Sequence, residues 1–180
     1  MSYLKKIQRN NQLAPNVVER HHITRENDGL EYIELKQLVF EKGGEYSESL
    51  TDLEVCLVIL TGKVTVLTEE ETFEQIGTRE DVFDKIPTDS IYLSSGKTFK
   101  IISESSAKVL LCYAPSSKDL PTKFISAKDN LVEHRGKYQN KRMVHNILDD
   151  KSLISDKLIV VEVFTNGGNW SSYPPHKHDQ

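Results

Sequence analysis

Short apolar runs, each closed by a Gly or Ser turn, recur along the first 115 residues, and they restrict the chain to an all-β fold. Glu31 to Phe40 reads as one strand, closed by Gly43-Gly44. Glu54 to Leu60 reads as a buried strand rich in Val, Ile and Leu. Thr61-Gly62-Lys63 then turns the chain into Val64 to Leu67, a pattern that predicts a hairpin. Glu69-Glu70-Glu71 is expected to be a solvated connection. Ser90 to Leu93 precedes the Ser94-Ser95-Gly96 turn, and Thr98 to Ser103 and Ala107 to Tyr113 follow, ending at Ala114-Pro115. Strands this short, spaced by about 8–12 residues, predict a sandwich or barrel rather than an α/β fold.

After Pro115 the texture changes. Ser116 to Pro121 is polar and bounded by proline, as a linker would be. Ser126 to Glu133 predicts a short helix, with Ser126 as N-cap and Asp129 in the first turn. Lys157 to Phe164 is a further strand, and Asn166-Gly167-Gly168-Asn169 turns it towards the last residues. The expected organisation is therefore a first β domain over 1–115, a linker with a short helix over 116–156, and the opening strands of a second β domain over 157–180.

Composition narrows the function classes. The chain carries 37% hydrophobic and 28% charged residues with a net charge of -4, as an ordinary soluble protein does. Nucleic-acid binding needs a concentrated basic face. The one basic cluster, Arg135 to Arg142, is short and interrupted and reads as a solvated turn. No apolar run approaches bilayer-spanning length, and the charged N-terminus is not followed by an apolar stretch. A cytoplasmic protein with no nucleic-acid or membrane partner is expected. Cys56 and Cys112 lie inside strand-like runs and are expected to be buried free thiols.

The candidate chemistry sits at the end of the sequence. Pro174-Pro175 precedes His176-Lys177-His178. Proline drives the residue before it to extended conformations, and side chains two apart on a strand share a face. His176 and His178 would therefore project together, as two ligands of one metal ion whose further ligands come from elsewhere. The adjacent His21 and His22 would point to opposite faces and so would not chelate together. His134 and His145 are within reach of a substrate carboxylate, or are hydrogen-bonded structural groups. Arg135 and Arg142 have the chemistry to clamp a carboxylate bidentately, with a surface role as the alternative. Glu45, Glu48 and Glu54 have no defined pairing, and no acid–base role is assigned to them.

The stretch from Val161 through Asn166-Gly167-Gly168-Asn169-Trp170 to Pro174-Pro175-His176-Lys177-His178-Asp179 resembles the signature of the 5-deoxyglucuronate isomerases of myo-inositol catabolism. Glu54 to Gly62, Arg135-Gly136 and Val144-His145-Asn146-Ile147-Leu148 are similar as well, in the same order, from about residue 15 onward. The resemblance implies a bicupin related to the 5-keto-4-deoxyuronate isomerases, with two double-sheet barrels. The second of these is expected to break off after its first strands in this chain. It also implies a divalent metal in that second barrel, held by His176 and His178 together with a Glu and a later His expected beyond Gln180. In the first barrel the His positions of the usual cupin metal motif fall on Leu50, Asp52 and Phe99, so a structural or dimer-forming role is expected there, as the resemblance to a family that keeps only the second site implies.

The implied reaction converts 5-deoxyglucuronate into 5-dehydro-2-deoxygluconate, with the metal acting as a Lewis acid. No residue is assigned as the catalytic base. His and carboxylate ligands suit Zn, Mn, Fe, Co or Ni, and the metal is expected to be weakly held or absent with two ligands alone. The expected partners are a small sugar acid and further copies of the chain in a homo-oligomer. The competing reading is a non-catalytic cupin that binds a sugar acid or another protein.

Overall fold

The computed structural model describes residues 10–171, apart from the side chains of Asn27 and Asp28. Fourteen strands are found among them. They are β1 (Asn11–Ala14), β2 (Val17–Ile23), β3 (Glu34–Phe40), β4 (Glu45–Ser49), β5 (Leu53–Thr61), β6 (Val64–Thr68), β7 (Thr72–Ile76), β8 (Ser90–Leu93), β9 (Thr98–Ser103), β10 (Ala107–Pro115), β11 (Lys123–Ile125), β12 (Leu131–Arg135), β13 (Arg142–Leu148) and β14 (Val160–Thr165). No helix among the described residues is long and apolar enough to cross a membrane.

Two antiparallel sheets face each other. One has the order β1-β2-β3-β10-β5-β8-β11 and the other β4-β9-β6-β7. The alternation of side chains builds the core between them. Leu38 and Phe40 of β3, Leu57 and Ile59 of β5, and Val109 and Leu111 of β10 meet Val64 and Val66 of β6 and Phe99 and Ile101 of β9. Transfer of such side chains from water contributes roughly 1.5–3 kcal/mol each, the main cohesive term of the barrel. This all-β, double-sheet architecture is the sandwich or barrel that the strand spacing predicts and the cupin type that the resemblance implies.

Strands β5 and β10 are apolar on both faces. Their other faces, with Cys56, Val58, Leu110, Cys112 and Ala114, form a second cluster with Tyr92, Ile147, Leu148, Leu158 and Val160. The continuous Val-Cys-Leu-Val-Ile run of β5 thus records a sheet covered on both sides. The outer cover is the third sheet, of order β12-β13-β14, with the segments that lead into it. Cys56 and Cys112 sit opposite each other in register as free thiols, and burial pushes the Cys112 thiol up to about 11.

Two sequence expectations change. The turn at Gly62 does not close a hairpin, because β5 pairs with β8 and β10 while β6 pairs with β7 and β9. Gly62 instead passes the chain from one sheet to the other at φ +80°, where an added Cβ would lie 2.2 Å from the Ser106 carbonyl oxygen. Both strands show an inward apolar face to the same core, so periodicity alone does not distinguish this corner from a hairpin. The real hairpin is β6–β7, whose turn is Glu69-Glu70-Glu71, with the Glu70 and Glu71 amides donating to Thr68 Oγ1.

The helix expected over Ser126 to Glu133 is a single 3-10 turn, Ala127–Asp129, followed at once by β12. Ser126 does cap it, accepting from the Lys128 amide. Asn130 Nδ2 then donates to the Thr88 carbonyl at 3.1 Å, which fixes the exit, and Leu131 to Arg135 pair with β13. Ser116 to Pro121 is irregular but fastened, since Ser94 Oγ donates to the Leu120 carbonyl and accepts from its amide.

Candidate functional site

The third sheet carries the chain towards the His-x-His segment, and two carboxylates, one buried and one partly buried, fasten it to the barrel. Glu54, on β5, is fully buried. It accepts the Tyr92 hydroxyl at 2.7 Å and three consecutive amides, of Asp156, Lys157 and Leu158, at 2.7–2.8 Å. Burial together with the Glu54 carboxylate raises the Tyr92 phenol, which keeps it a donor. The approach to β14 is thereby held to the barrel wall.

The second carboxylate is Glu162 on β14. Arg79, whose side chain is wholly buried, forks onto it at 2.6 and 2.8 Å. The same guanidinium donates to the Leu60 and Ile86 carbonyls at 2.8 and 2.9 Å. His145 of β13 lies opposite Glu162, with Nδ1 3.3 Å from Glu162 Oε2 and its ring 5.0 Å from that of Phe164. Its Nε2 is buried without a partner among the described residues. Burial pulls the His145 imidazole below its ordinary value; Glu162 opposes this and Arg79 adds to it.

Beside this network opens a cleft of about 520 Å³. Lys85, His134, Arg135, Gly136, Lys141, Arg142, Met143, Phe164 and Asn166 line it. His134, Met143 and Phe164 stand side by side on the three strands, as do Arg135, Arg142 and Thr165. The structure therefore brings together three of the four residues singled out as carboxylate partners, His134, Arg135 and Arg142, and buries the fourth, His145, next to them.

Other sequence candidates are dispersed. His21 and His22 are adjacent on β2, and His22 Nδ1 lies 3.3 Å from Glu19. Glu45 pairs with Lys100 at 2.7 Å. Glu48 joins Lys36, Tyr46 and Tyr113 at one end of the barrel interior, with Lys36 Nζ at 2.9 Å. Leu50 and Phe99 belong to the apolar core, and Asp52 is exposed. His176 and His178 lie outside the described residues. Among the described residues no group of three His, Cys, Asp or Glu is arranged to hold a metal ion.

Sequence reasoning missed Arg79 and Glu162. A signal existed for Glu162, which interrupts the apolar run Leu158 to Phe164 at a position that shares a face with buried Val160. Arg79 lies in a polar loop with no pattern to mark it.

Comparison with known proteins decides the family. The model of the KduI/IolB family matches residues 6–180. The chain belongs to the KduI/IolB family. Among the family's relatives, the 5-deoxy-glucuronate isomerase of Bacillus subtilis (strain 168) is 52% identical over 180 residues, all of this chain and 66% of that protein. The 5-deoxy-glucuronate isomerase of Listeria innocua serovar 6a is 53% identical over 172 residues, 95% of this chain and 63% of that protein. The crystal structure of an IolB-like protein from Salmonella typhimurium LT2 superposes with a TM-score of 0.84 at 38% identity, covering 87% of this chain and 59% of that one. The chain thus spans slightly less than two thirds of these relatives' length. The double-sheet barrel and its covering sheet are a KduI/IolB fold by both sequence and shape.

Proposed function

We propose that the protein to which this chain belongs is an aldose–ketose isomerase that converts 5-deoxyglucuronate into 5-dehydro-2-deoxygluconate. The observation that carries this is the 52% identity over the whole chain to a relative named 5-deoxy-glucuronate isomerase. The reaction moves a carbonyl from C1 to C2, so hydrogen must pass between neighbouring carbons. We assign His176 and His178 as two ligands of a divalent metal, completed by a Glu and a His from chain beyond Gln180. Two imidazoles at i and i+2 are a donor set suited to Zn, Mn, Fe, Co or Ni. The metal, when bound, supplies a Lewis acid that polarises the carbonyl and its neighbouring hydroxyl.

This chain's own residues hold the frame. Glu54 and Arg79 fasten β14 to the barrel, and β14 leads to the His pair eleven residues after its end at Thr165. In a protein extended to the full length of the relatives, His176→Ala or His178→Ala is expected to lower both bound metal and isomerisation at least a hundredfold. Metal content and ketose formation are the readouts. Unchanged activity in either variant removes the assignment. Sugar-acid binding without metal or turnover in the extended protein replaces the isomerase with a binding module.

A further inference from the structure

We infer that the cleft at the end of the third sheet is an anion site that takes the carboxylate of a small polyhydroxylated acid. The inference rests on the proposed function only for the body of the ligand. The anion recognition stands on the cleft itself.

Four cationic side chains, Lys85, Arg135, Lys141 and Arg142, converge on the cleft together with His134, and among the described residues no carboxylate lines it. This occurs in a chain whose net charge is -4. Arg135 and Arg142 are directly opposed across β12 and β13. Like charges directly opposite each other on neighbouring strands are destabilising, by up to about 1 kcal/mol. One of the two is neutralised, because Arg135 pairs with Glu133. Arg142 is not. Its Nη1 donates to the carbonyl and side-chain oxygens of Asn140, which are neutral, and its Nε and Nη2 have no partner among the described residues. Lys141 likewise has no ion-pair partner there. Lys85 reaches across from the barrel side to Asn166 Oδ1 at 3.2 Å. The half-open guanidinium fork of Arg142 is the group that accepts a carboxylate in two parallel bonds.

The backbone that carries Lys141 and Arg142 is braced before any ligand arrives. Gly136 turns at φ +86° with Asn140 packed so closely that an added Cβ would lie 2.0 Å from its carbonyl oxygen. The Lys141 carbonyl accepts from Asn169 Nδ2 at 3.0 Å, and the Gln139 carbonyl from the Trp170 amide at 2.7 Å. The loop bearing Lys141 and Arg142 is thus braced against the turn bearing Asn166. Met143 and Phe164 give the cleft an apolar side suited to the C–H face of a sugar, and Asn166 offers an amide to hydroxyls. Its volume of about 520 Å³ falls in the range of small-molecule sites, roughly 300–1,000 Å³.

The test is a calorimetric titration of the chain with glucuronate, glucose and inorganic phosphate, with and without EDTA. Glucuronate is expected to bind at least tenfold more tightly than glucose and than phosphate, with EDTA changing its affinity less than twofold. The double variant Lys141→Ala, Arg142→Ala should weaken glucuronate at least tenfold. Arg142→Lys, which keeps the charge but not the fork, should weaken it severalfold while the circular dichroism spectrum stays unchanged. Glucose binding as tightly as glucuronate overturns the site, as does phosphate binding more tightly, EDTA abolishing binding, or both cleft variants binding normally. Loss of isomerisation in the extended protein with cleft binding intact refutes the proposed function alone. Isomerisation with cleft variants that bind glucuronate normally refutes this inference alone.

Discussion

The barrel and the sheet laid against it are held by different means. Inside the barrel, two sheets share an almost wholly apolar core of buried residues from eight strands, among them Leu38, Leu57, Phe99 and Ile101. Against its outer wall, a smaller apolar cluster is supplemented by two carboxylates, buried Glu54 and partly buried Glu162, that each reach across the junction. Apolar packing is non-directional and supplies cohesion. Hydrogen-bonded carboxylates accept only from donors in particular places, so they fix where the third sheet sits. The two carboxylates differ again from each other. Glu54 is satisfied by neutral amides and a phenol, while Glu162 is satisfied by a guanidinium and an imidazole.

Removing Glu54 is the largest way to break this contrast. Glu54→Ala would strand three backbone donors and the Tyr92 hydroxyl in the junction. An unsatisfied buried donor costs about 1–3 kcal/mol, so a loss of about 4 kcal/mol in urea unfolding is expected after partial rehydration. Hydrogen exchange should show the amides of Asp156, Lys157 and Leu158 losing protection while β5 and β10 keep theirs. A loss below about 1 kcal/mol would mean that the apolar cluster alone carries the junction.

Arg79→Leu tests the ionic tie and is expected to be somewhat smaller, about 3 kcal/mol. Breaking a buried pair usually costs about 3–5 kcal/mol, and Glu162 keeps 19% side-chain exposure through which water can return. The double variant Arg79→Leu, Glu162→Leu sharpens the point. Replacing a buried ion pair by apolar groups is often neutral, so most of the loss should be recovered. A double variant as unstable as the single one would show that the guanidinium acts mainly through the Leu60 and Ile86 carbonyls.

The same contrast explains what the sequence revealed. The barrel strands were legible because alternation and short apolar runs are local signals, and β3, β8, β9 and β10 fall where those signals place them. Even the two-sided burial of β5 is written in its unbroken run from Val55 to Leu60. The corner at Gly62 looks like a hairpin in sequence because a turn's residues specify a bend, not which strands pair beyond it. Strands β12 and β13 lie in a stretch whose polar residues, Glu133, His134 and Arg135, carry no alternation. Of the cleft, the residue types His134, Arg135 and Arg142 were visible, but Lys85 comes from a loop some fifty residues earlier, and only the tertiary fold brings it there. Arg79 and Glu162 are 83 positions apart, a separation no sequence pattern bridges.

The smallest expected effect concerns the protonation of the ionic tie. Burial holds the folded His145 imidazole below its unfolded value of about 6.5. The unfolded chain therefore binds more protons in the window below that value, and stability must fall as the pH drops through it. The contribution is fully present above pH 6.5 and is lost progressively towards the depressed folded value. Glu70, Glu133 and Asp156 are held low by their partners, Lys97 for Glu70, Asn146 and Arg135 for Glu133, and Lys118 and Ser116 for Asp156. Their contributions are lost only in a more acidic window, so the two effects separate. Urea unfolding at pH 7.5 and 5.5 should show the wild type less stable at the lower pH, with His145→Gln reducing that difference. Among the described residues no histidine belongs to the apolar core of the barrel, so hydrogen exchange should locate the acid-induced opening at β13 and β14. Equal loss of protection in β9 and β14 would assign the pH dependence to the whole molecule and remove the distinction between core and junction.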